Sequence, residues 1–91
     1  MAQPVIAADP LALVTADDEL TVGRAAGCHI ALEDRFVSQL HARMFRRDEQ
    51  SFIEDLGSTN GTFLNDEKVT SPAMLKKGDL VRIGNFVMEM Q

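Results

Sequence analysis

The sequence lacks several features that define other classes of protein. It has one cysteine in 91 residues, so no disulfide can form within the chain. It has no apolar stretch long enough to span a membrane, and no basic segment followed by an apolar one that would indicate a secretory signal. It also has no internal repeat and no low-complexity tract. These absences predict one small domain in a reducing compartment, with the cytoplasm as the expected location.

Positive charge is scarce as well. Lys and Arg total 9 against 14 Asp and Glu, which gives a formal net charge of −5. Nucleic-acid binding requires a basic surface or a basic stripe, so this charge balance argues against a nucleic-acid partner. Hydrophobic residues make up 45% of the chain, enough for a packed core without metals or disulfides.

Turn residues are dense and regularly spaced, and the apolar runs between them are short. This pattern is typical of an all-β sandwich or barrel. Residues 62–69 and 81–88 each look like a hairpin with a two-residue turn. Residues 37–44 are ambiguous, because Ser38 could cap a short helix there. The shortness of that run favours a loop that enters a strand near residues 41–45.

Residues 56–62 form the most informative segment, with the sequence Leu-Gly-Ser-Thr-Asn-Gly-Thr. Its Asn-Gly pair predicts a tight turn, because both residues tolerate positive φ. The polar side chains of Ser58, Thr59 and Asn60 fall in the same short loop. Such a loop can rest on two strands and direct several polar groups at one small ligand.

This segment is part of an ordered set of motifs. Gly23-Arg24 ends an apolar run, a Ser-x-x-His motif runs from Ser38 to His41, and an alternating run follows Gly78. In this order and at these separations, the motifs resemble a bacterial-type forkhead-associated (FHA) domain from about residue 20 onward. The resemblance implies an FHA-like β-sandwich of two twisted, mostly antiparallel sheets with short strands. It also implies that loops at one end bind phosphothreonine in a partner protein.

The resemblance implies roles for individual residues. Arg24 and Ser38 would hold the phosphate, Thr59 would add a donor, and Asn60 would hydrogen-bond the peptide backbone. An Arg side chain can contact phosphate oxygens through two N–H groups, and hydroxyls and backbone N–H groups are short neutral donors. Gln39 stands where many bacterial relatives carry a basic residue. It can donate a hydrogen bond to the ligand but adds no charge.

Other residues are expected to support this site. Gly23 is expected to let the chain turn after its strand, with no Cβ to block Arg24, and Gly61 is expected to supply positive φ. His41 is expected to be buried, with its ring nitrogens bonded to loop backbone. Arg35 is expected either to compensate in part for the missing charge or to contact an acidic side chain of the bound peptide.

The sequence carries no set of residues typical of an enzyme. Cys28, His29 and His41 lack a standard zinc spacing, and residues 57–62 lack the Lys of a nucleotide-binding P-loop. We therefore expect no catalysis, no metal and no cofactor. The expected partners are phosphothreonine-containing proteins or Ser/Thr kinases, bound by a monomer or by one module of a larger protein. The alternative is an FHA-fold domain that binds its partner without phosphate, which Gln39 and the net charge slightly favour.

The domain boundaries follow from the same resemblance. Residues 1–4 are expected to be a flexible N-terminal tail and residues 5–91 the FHA domain. FHA domains usually have two strands before the Gly-Arg strand. Residues 4–7 and 11–14 would have to form those strands here, with only residues 8–10 between them.

Overall fold

The computed structural model describes residues 5–8 and 19–90, and all regular structure within them is β-strand. None of these residues belongs to a helix that could cross a membrane. The strands are β1 (Val5–Ala8), β2 (Glu19–Gly23), β3 (Ile30–Ala31), β4 (Ala42–Arg47), β5 (Gln50–Asp55), β6 (Thr62–Leu64), β7 (Glu67–Lys68), β8 (Ala73–Leu75), β9 (Leu80–Ile83) and β10 (Phe86–Met90).

The strands form two five-stranded sheets, with the orders β1-β10-β9-β6-β7 and β3-β2-β4-β5-β8. Their pairs are antiparallel except for β1 with β10 and β2 with β3. The predicted all-β sandwich of mostly antiparallel sheets is therefore confirmed. Strand β1 lies one residue further along than predicted, and the predicted strand at 11–14 falls outside the described residues.

The core lies between the inner faces of the sheets, because buried apolar residues alternate with more exposed ones along the strands. In one sheet the fully buried side chains include those of Val22, Met44 and Ile53. In the other sheet they include those of Val81, Ile83 and Met88. Burying an aliphatic side chain of this size contributes about 1.5–3 kcal/mol, so these contacts fix which face of each strand points inward.

Tight turns set the strand register at three hairpins. Asp48 and Glu49 join β4 to β5 with φ of 53° and 66°, and Asn65 and Asp66 join β6 to β7 with φ of 49° and 69°. Gly84, with φ of 58°, begins the turn between β9 and β10. The two predicted hairpins are therefore confirmed, and the hairpin of β4 and β5 adds a third.

The register brings several connections to one end of the sandwich. Ala42, at the start of β4, pairs with Val22 near the end of β2 and with Asp55 at the end of β5. Thr62, at the start of β6, pairs with Ile83 at the end of β9. Four connections therefore emerge together. They are the one after β2, the one before β4, the one after β5 and the one between β9 and β10. We call this end of the sandwich the loop end.

Candidate functional site

Three of the connections at the loop end carry the predicted site residues, and we number them in chain order: the first loop is residues 24–29, the second is 32–41 and the third is 56–61. The first and second loops continue the pairing of β2 with β4. The backbone N–H of Arg24 donates to the carbonyl of Ser38 at 2.9 Å, and that of Ala25 donates to the carbonyl of Gln39 at 3.2 Å. These bonds hold Arg24 and Ser38, the two residues predicted to bind the phosphate, side by side.

Gly23 lies where the first and second loops approach most closely. A Cβ atom at this position would stand 2.3 Å from the carbonyl oxygen of Gln39, which is far inside contact distance. Gly23 ends β2 and is not among the residues with positive φ. The missing side chain therefore provides clearance for the backbone of the second loop at Gln39, whereas the prediction placed the clearance at Arg24.

The imidazole of His41 joins the second loop to the third. The ring is fully buried, and its Nδ1 accepts a hydrogen bond from the backbone N–H of Ser38 at 3.1 Å. Because Nδ1 is an acceptor, the ring proton lies on Nε2, which donates to the carbonyl of Gly61 at 2.8 Å. Gly61 itself has φ of 88°, a conformation that favours glycine. One side chain thus fixes the spacing of two loops.

Asp55 shapes the third loop, a role that the sequence analysis missed. Its carboxylate accepts from the backbone N–H groups of Gly57 at 3.1 Å and Ser58 at 3.0 Å, and from the hydroxyls of Ser58 and Thr62. Burial alone would raise the pKa of Asp55. The hydrogen bonds, those from the Ser58 and Thr62 hydroxyls foremost, outweigh burial and hold this pKa below its ordinary value of 3.8. An Asp two residues before Gly-Ser is a usable sequence signal for such a turn.

The braced loops present four polar side chains at one surface. Ser38 Oγ accepts from the backbone N–H of Thr59 at 3.1 Å, which leaves its own O–H free to donate. Asn60 Nδ2 donates to the carbonyl of Phe36 at 2.9 Å, which leaves its other N–H and its amide oxygen. Arg24 is exposed and forms no ion pair with a carboxylate of the described residues. The structure therefore brings Arg24, Ser38, Thr59 and Asn60 together.

Gln39 and Arg35, the other predicted site residues, are both exposed. The backbone carbonyl of Gln39 accepts a hydrogen bond from the first loop. The Gln39 side chain lies at the surface. The guanidinium of Arg35 lies 5.0 Å from the ring centroid of Phe36. Arg35 therefore packs against Phe36, and within the described residues it forms no ion pair.

Asp34 ties the second loop to the turn between β9 and β10. Its carboxylate accepts from the backbone N–H groups of Phe36 at 2.8 Å and Asn85 at 3.0 Å. The bond from Phe36 is the largest influence on the pKa of Asp34, and although burial opposes it, the pKa lies below its ordinary value. The second loop is thus attached to both sheets.

A groove of about 250 Å³ opens beside Asn60, and we call it the side groove. Its walls come from β6, β9 and the turn after β9 in one sheet, and from the second and third loops, namely from Phe36, Asn60, Gly61, Phe63, Arg82, Gly84 and Asn85. The guanidinium of Arg82 lies 4.3 Å from the ring centroid of Phe63. Sequence patterns could not indicate this groove, because it joins residues that are distant along the chain.

Within residues 5–8 and 19–90, no group of three or more His, Cys, Asp or Glu side chains is arranged to hold a metal ion. The arrangement at the loop end is instead one of fixed hydrogen-bond donors beside an exposed guanidinium. Such an arrangement can bind a small anion without forming or breaking covalent bonds.

Comparison with known proteins places the chain in a family. A sequence model of the FHA domain matches residues 20–84. The FHA domain-containing protein FhaB of Mycolicibacterium smegmatis is 43% identical over 70 residues, which are 77% of this chain and 45% of that protein. This chain thus spans about half the length of the curated relatives it matches.

Solved structures share the fold. Mycobacterium tuberculosis EmbR, in complex with a low-affinity phosphopeptide, matches with a TM-score of 0.70 and 32% identity over 72% of this chain and 17% of that one. The N-terminal FHA domain of S. cerevisiae Rad53, in complex with a phosphothreonine peptide, matches with a TM-score of 0.66 and 31% identity. That match covers 72% of this chain and 56% of the Rad53 chain.

Proposed function

The chain belongs to the FHA domain family, and on that premise we propose that it is a phosphothreonine-dependent protein interaction module. The observation that carries this proposal is the joining of the three loops around Arg24, Ser38, Thr59 and Asn60. The partners we propose are proteins phosphorylated on threonine by Ser/Thr kinases, or the kinases themselves.

The geometry suits a phosphate dianion. A phosphothreonine carries a charge of about −1.5 to −2 at neutral pH and has three strong acceptor oxygens. The exposed guanidinium of Arg24 can donate two parallel N–H groups to it. The O–H of Ser38 and the hydroxyl of Thr59 can satisfy further oxygens. Because the loops are already fixed by His41 and Asp55, little ordering is needed when the ligand binds.

Asn60 connects the phosphate contacts to the rest of a bound peptide. It has one amide N–H and its oxygen left after bonding to Phe36, and this pair matches a peptide backbone group. Asn60 also lines the side groove, so residues next to the phosphothreonine would lie over that groove. Specificity for a partner would come from the contacts between these flanking peptide residues and the side groove, as in other modes of phosphopeptide recognition.

Phosphate-independent binding is the second candidate function. Two observations favour it, the uncharged Gln39 in the second loop and the net charge of −5, which repels a dianion at long range. In that case the same loops would bind a partner through neutral hydrogen bonds, and Arg24 would not contribute to affinity.

The experiment that separates the two functions compares Arg24→Ala with Arg46→Ala. Arg46 is an exposed Arg at the opposite end of the sandwich, so its removal changes the net charge equally. An oriented peptide library containing phosphothreonine is titrated against each protein, together with its unphosphorylated copy. Charge-assisted hydrogen bonds contribute about 1.5–3 kcal/mol each. If two are lost, Arg24→Ala should lower affinity roughly a hundredfold or more.

Arg46→Ala should bind like wild type, and the unphosphorylated library should bind neither variant measurably. Equal affinity of wild type and Arg24→Ala for the phosphorylated library would show that the phosphate does not bind where we propose. Equal affinity of wild type for both libraries would favour the phosphate-independent function.

A further inference from the structure

The side groove contains a cation, Arg82, and two aromatic rings that take no part in the proposed phosphate contacts. We propose that Arg82 makes this groove selective for an acidic residue of the phosphothreonine peptide, glutamate above aspartate. This inference rests on the proposed function, because it assumes that the peptide backbone is held at Asn60.

Arg82 has the capacity to bind a carboxylate, which is clear from a comparison with Arg43. Arg43 lies on the outer face of the other sheet and forms ion pairs with Glu54 and with Glu19, the latter at 3.4 Å. Arg82 forms no ion pair within residues 5–8 and 19–90. Its guanidinium uses one flat face against Phe63, which leaves the N–H groups at its edge to pair with a carboxylate.

A second cation stands on the other side of Phe63. Lys68 and Arg82 are the cross-strand partners of Phe63 on β7 and β9, so the ring lies between two positive side chains. The Lys68 side chain reaches toward the groove, since its Cε would lie 3.4 Å from a Cβ placed on Gly61. The side of the groove formed by Phe63 is therefore positively charged, in a protein whose net charge is negative.

One carboxylate near the groove is that of Asp34, which stands beside Gly84 and Asn85. One of its oxygens would lie 3.3 Å from a Cβ placed on Gly84, and both oxygens accept backbone N–H groups, from Phe36 and Asn85. Two donors thus stabilise its negative charge. A ligand carboxylate is attracted toward Arg82 and away from Asp34.

The walls explain why glutamate fits better than aspartate. The rings of Phe36 and Phe63 both line the groove, and they offer apolar surface above the guanidinium. A glutamate has two methylene groups that can lie against these rings while its carboxylate reaches Arg82. Because Asn60 lies at the mouth of the groove, the glutamate should stand within a few residues of the phosphothreonine.

The test uses phosphothreonine peptides in which each flanking position in turn carries Glu, Asp, Gln, Ile or Lys. Dissociation constants are measured by fluorescence polarisation for wild type, Arg82→Gln and Arg82→Glu. Lys77→Glu is the control, because Lys77 is exposed in the turn between β8 and β9, and this variant has the same net charge as Arg82→Glu. Near-ultraviolet circular dichroism confirms that each variant retains its packing.

At one flanking position, wild type and Lys77→Glu should bind the Glu peptide about tenfold more tightly than the Gln peptide, and also more tightly than the Asp peptide. Arg82→Gln should lose this difference, and Arg82→Glu should prefer the Lys peptide. Equal binding of the Glu and Gln peptides at every position, or a preference for Ile over Glu, would overturn the assignment while leaving phosphate dependence intact. Loss of phosphate dependence in wild type would instead overturn the proposed function on which the assignment rests.

Discussion

His41 is the residue on which the geometry of the loop end depends most. Its ring accepts the N–H of Ser38 and donates to the carbonyl of Gly61, and it is fully buried. No other natural side chain combines this shape with one donor and one acceptor at the same positions. Removing the ring leaves two buried backbone groups unpaired and an empty space between two loops.

We expect His41→Ala to lower the free energy of unfolding by about 2–4 kcal/mol, because unpaired buried groups and a cavity both destabilise. His29→Ala is the control. His29 is exposed, and its Nδ1 bonds only to Thr21, through the backbone N–H and the hydroxyl of that residue, so its removal should cost less than about 1 kcal/mol. Urea denaturation measures both. A His41→Ala protein that unfolds like wild type but no longer binds phosphopeptide would indicate that His41 contacts the ligand directly.

Asp55 gives the stability of the third loop a defined pH dependence. Its pKa in the folded protein lies below its ordinary value of 3.8, so the folded state releases the proton more readily than the unfolded state. The stabilisation is therefore present above about pH 4 and is lost as the pH falls through the lowered pKa of the folded state. Asp55→Asn should reduce the free energy of unfolding at pH 7 and should flatten its decline between about pH 5 and pH 2. Thermal unfolding across this range provides the measurement, and parallel curves for the two proteins would refute the assignment.

The elements position these residues through close backbone contacts, and the end of β2 is the clearest case. Gly23→Ala places a Cβ 2.3 Å from the Gln39 carbonyl oxygen, so the second loop must move away from the first. We expect phosphopeptide affinity to fall by about tenfold or more, with a lower melting temperature. Gly27→Ala is the matched control, because a Cβ there meets nothing within 4 Å and its φ is not positive. That variant should bind normally, and equal affinity of both variants would show that the contact at Gly23 does not hold the site.

Much of the element order could be predicted from turn chemistry. Asn65-Asp66 and Gly84-Asn85 are favourable pairs for two-residue turns, and both hairpins occur where they were predicted. The hairpin of β4 and β5 was not predicted as such, because its turn places Glu49 at φ of 66°, a conformation with little preference for Glu. Turn propensities are informative only where the residue and its conformation agree.

Contacts between distant residues could not be predicted in the same way. The clearance at Gly23 depends on Gln39, and the third loop depends on Asp55, which a strand pattern alone reads as an ordinary polar position. The side groove likewise requires Phe36 of the second loop and Arg82 of β9 to lie close together. These features follow from tertiary packing, which has no local signal in the chain.

At the scale of the whole molecule, the sandwich separates its stability from its binding surface. The apolar core lies between the sheets, whereas Arg24, Ser38, Thr59 and Asn60 stand on loops at one end. Substitutions of exposed loop side chains should therefore change affinity with little effect on folding. The motif order indicated the family from the sequence, since these loops are short and keep a fixed order between strands of fixed register.

The most direct measurement is a nuclear magnetic resonance titration of the protein with a phosphothreonine peptide and with its unphosphorylated copy. We expect the phosphorylated peptide to shift the backbone amide resonances of Arg24, Ser38, Thr59 and Asn60. Amides at the opposite end, such as those of Asp48 and Asp66, should not move. The unphosphorylated peptide should cause no comparable shifts. Shifts confined to the sheet faces, or equal shifts with both peptides, would show that the loop end is not a phosphothreonine site.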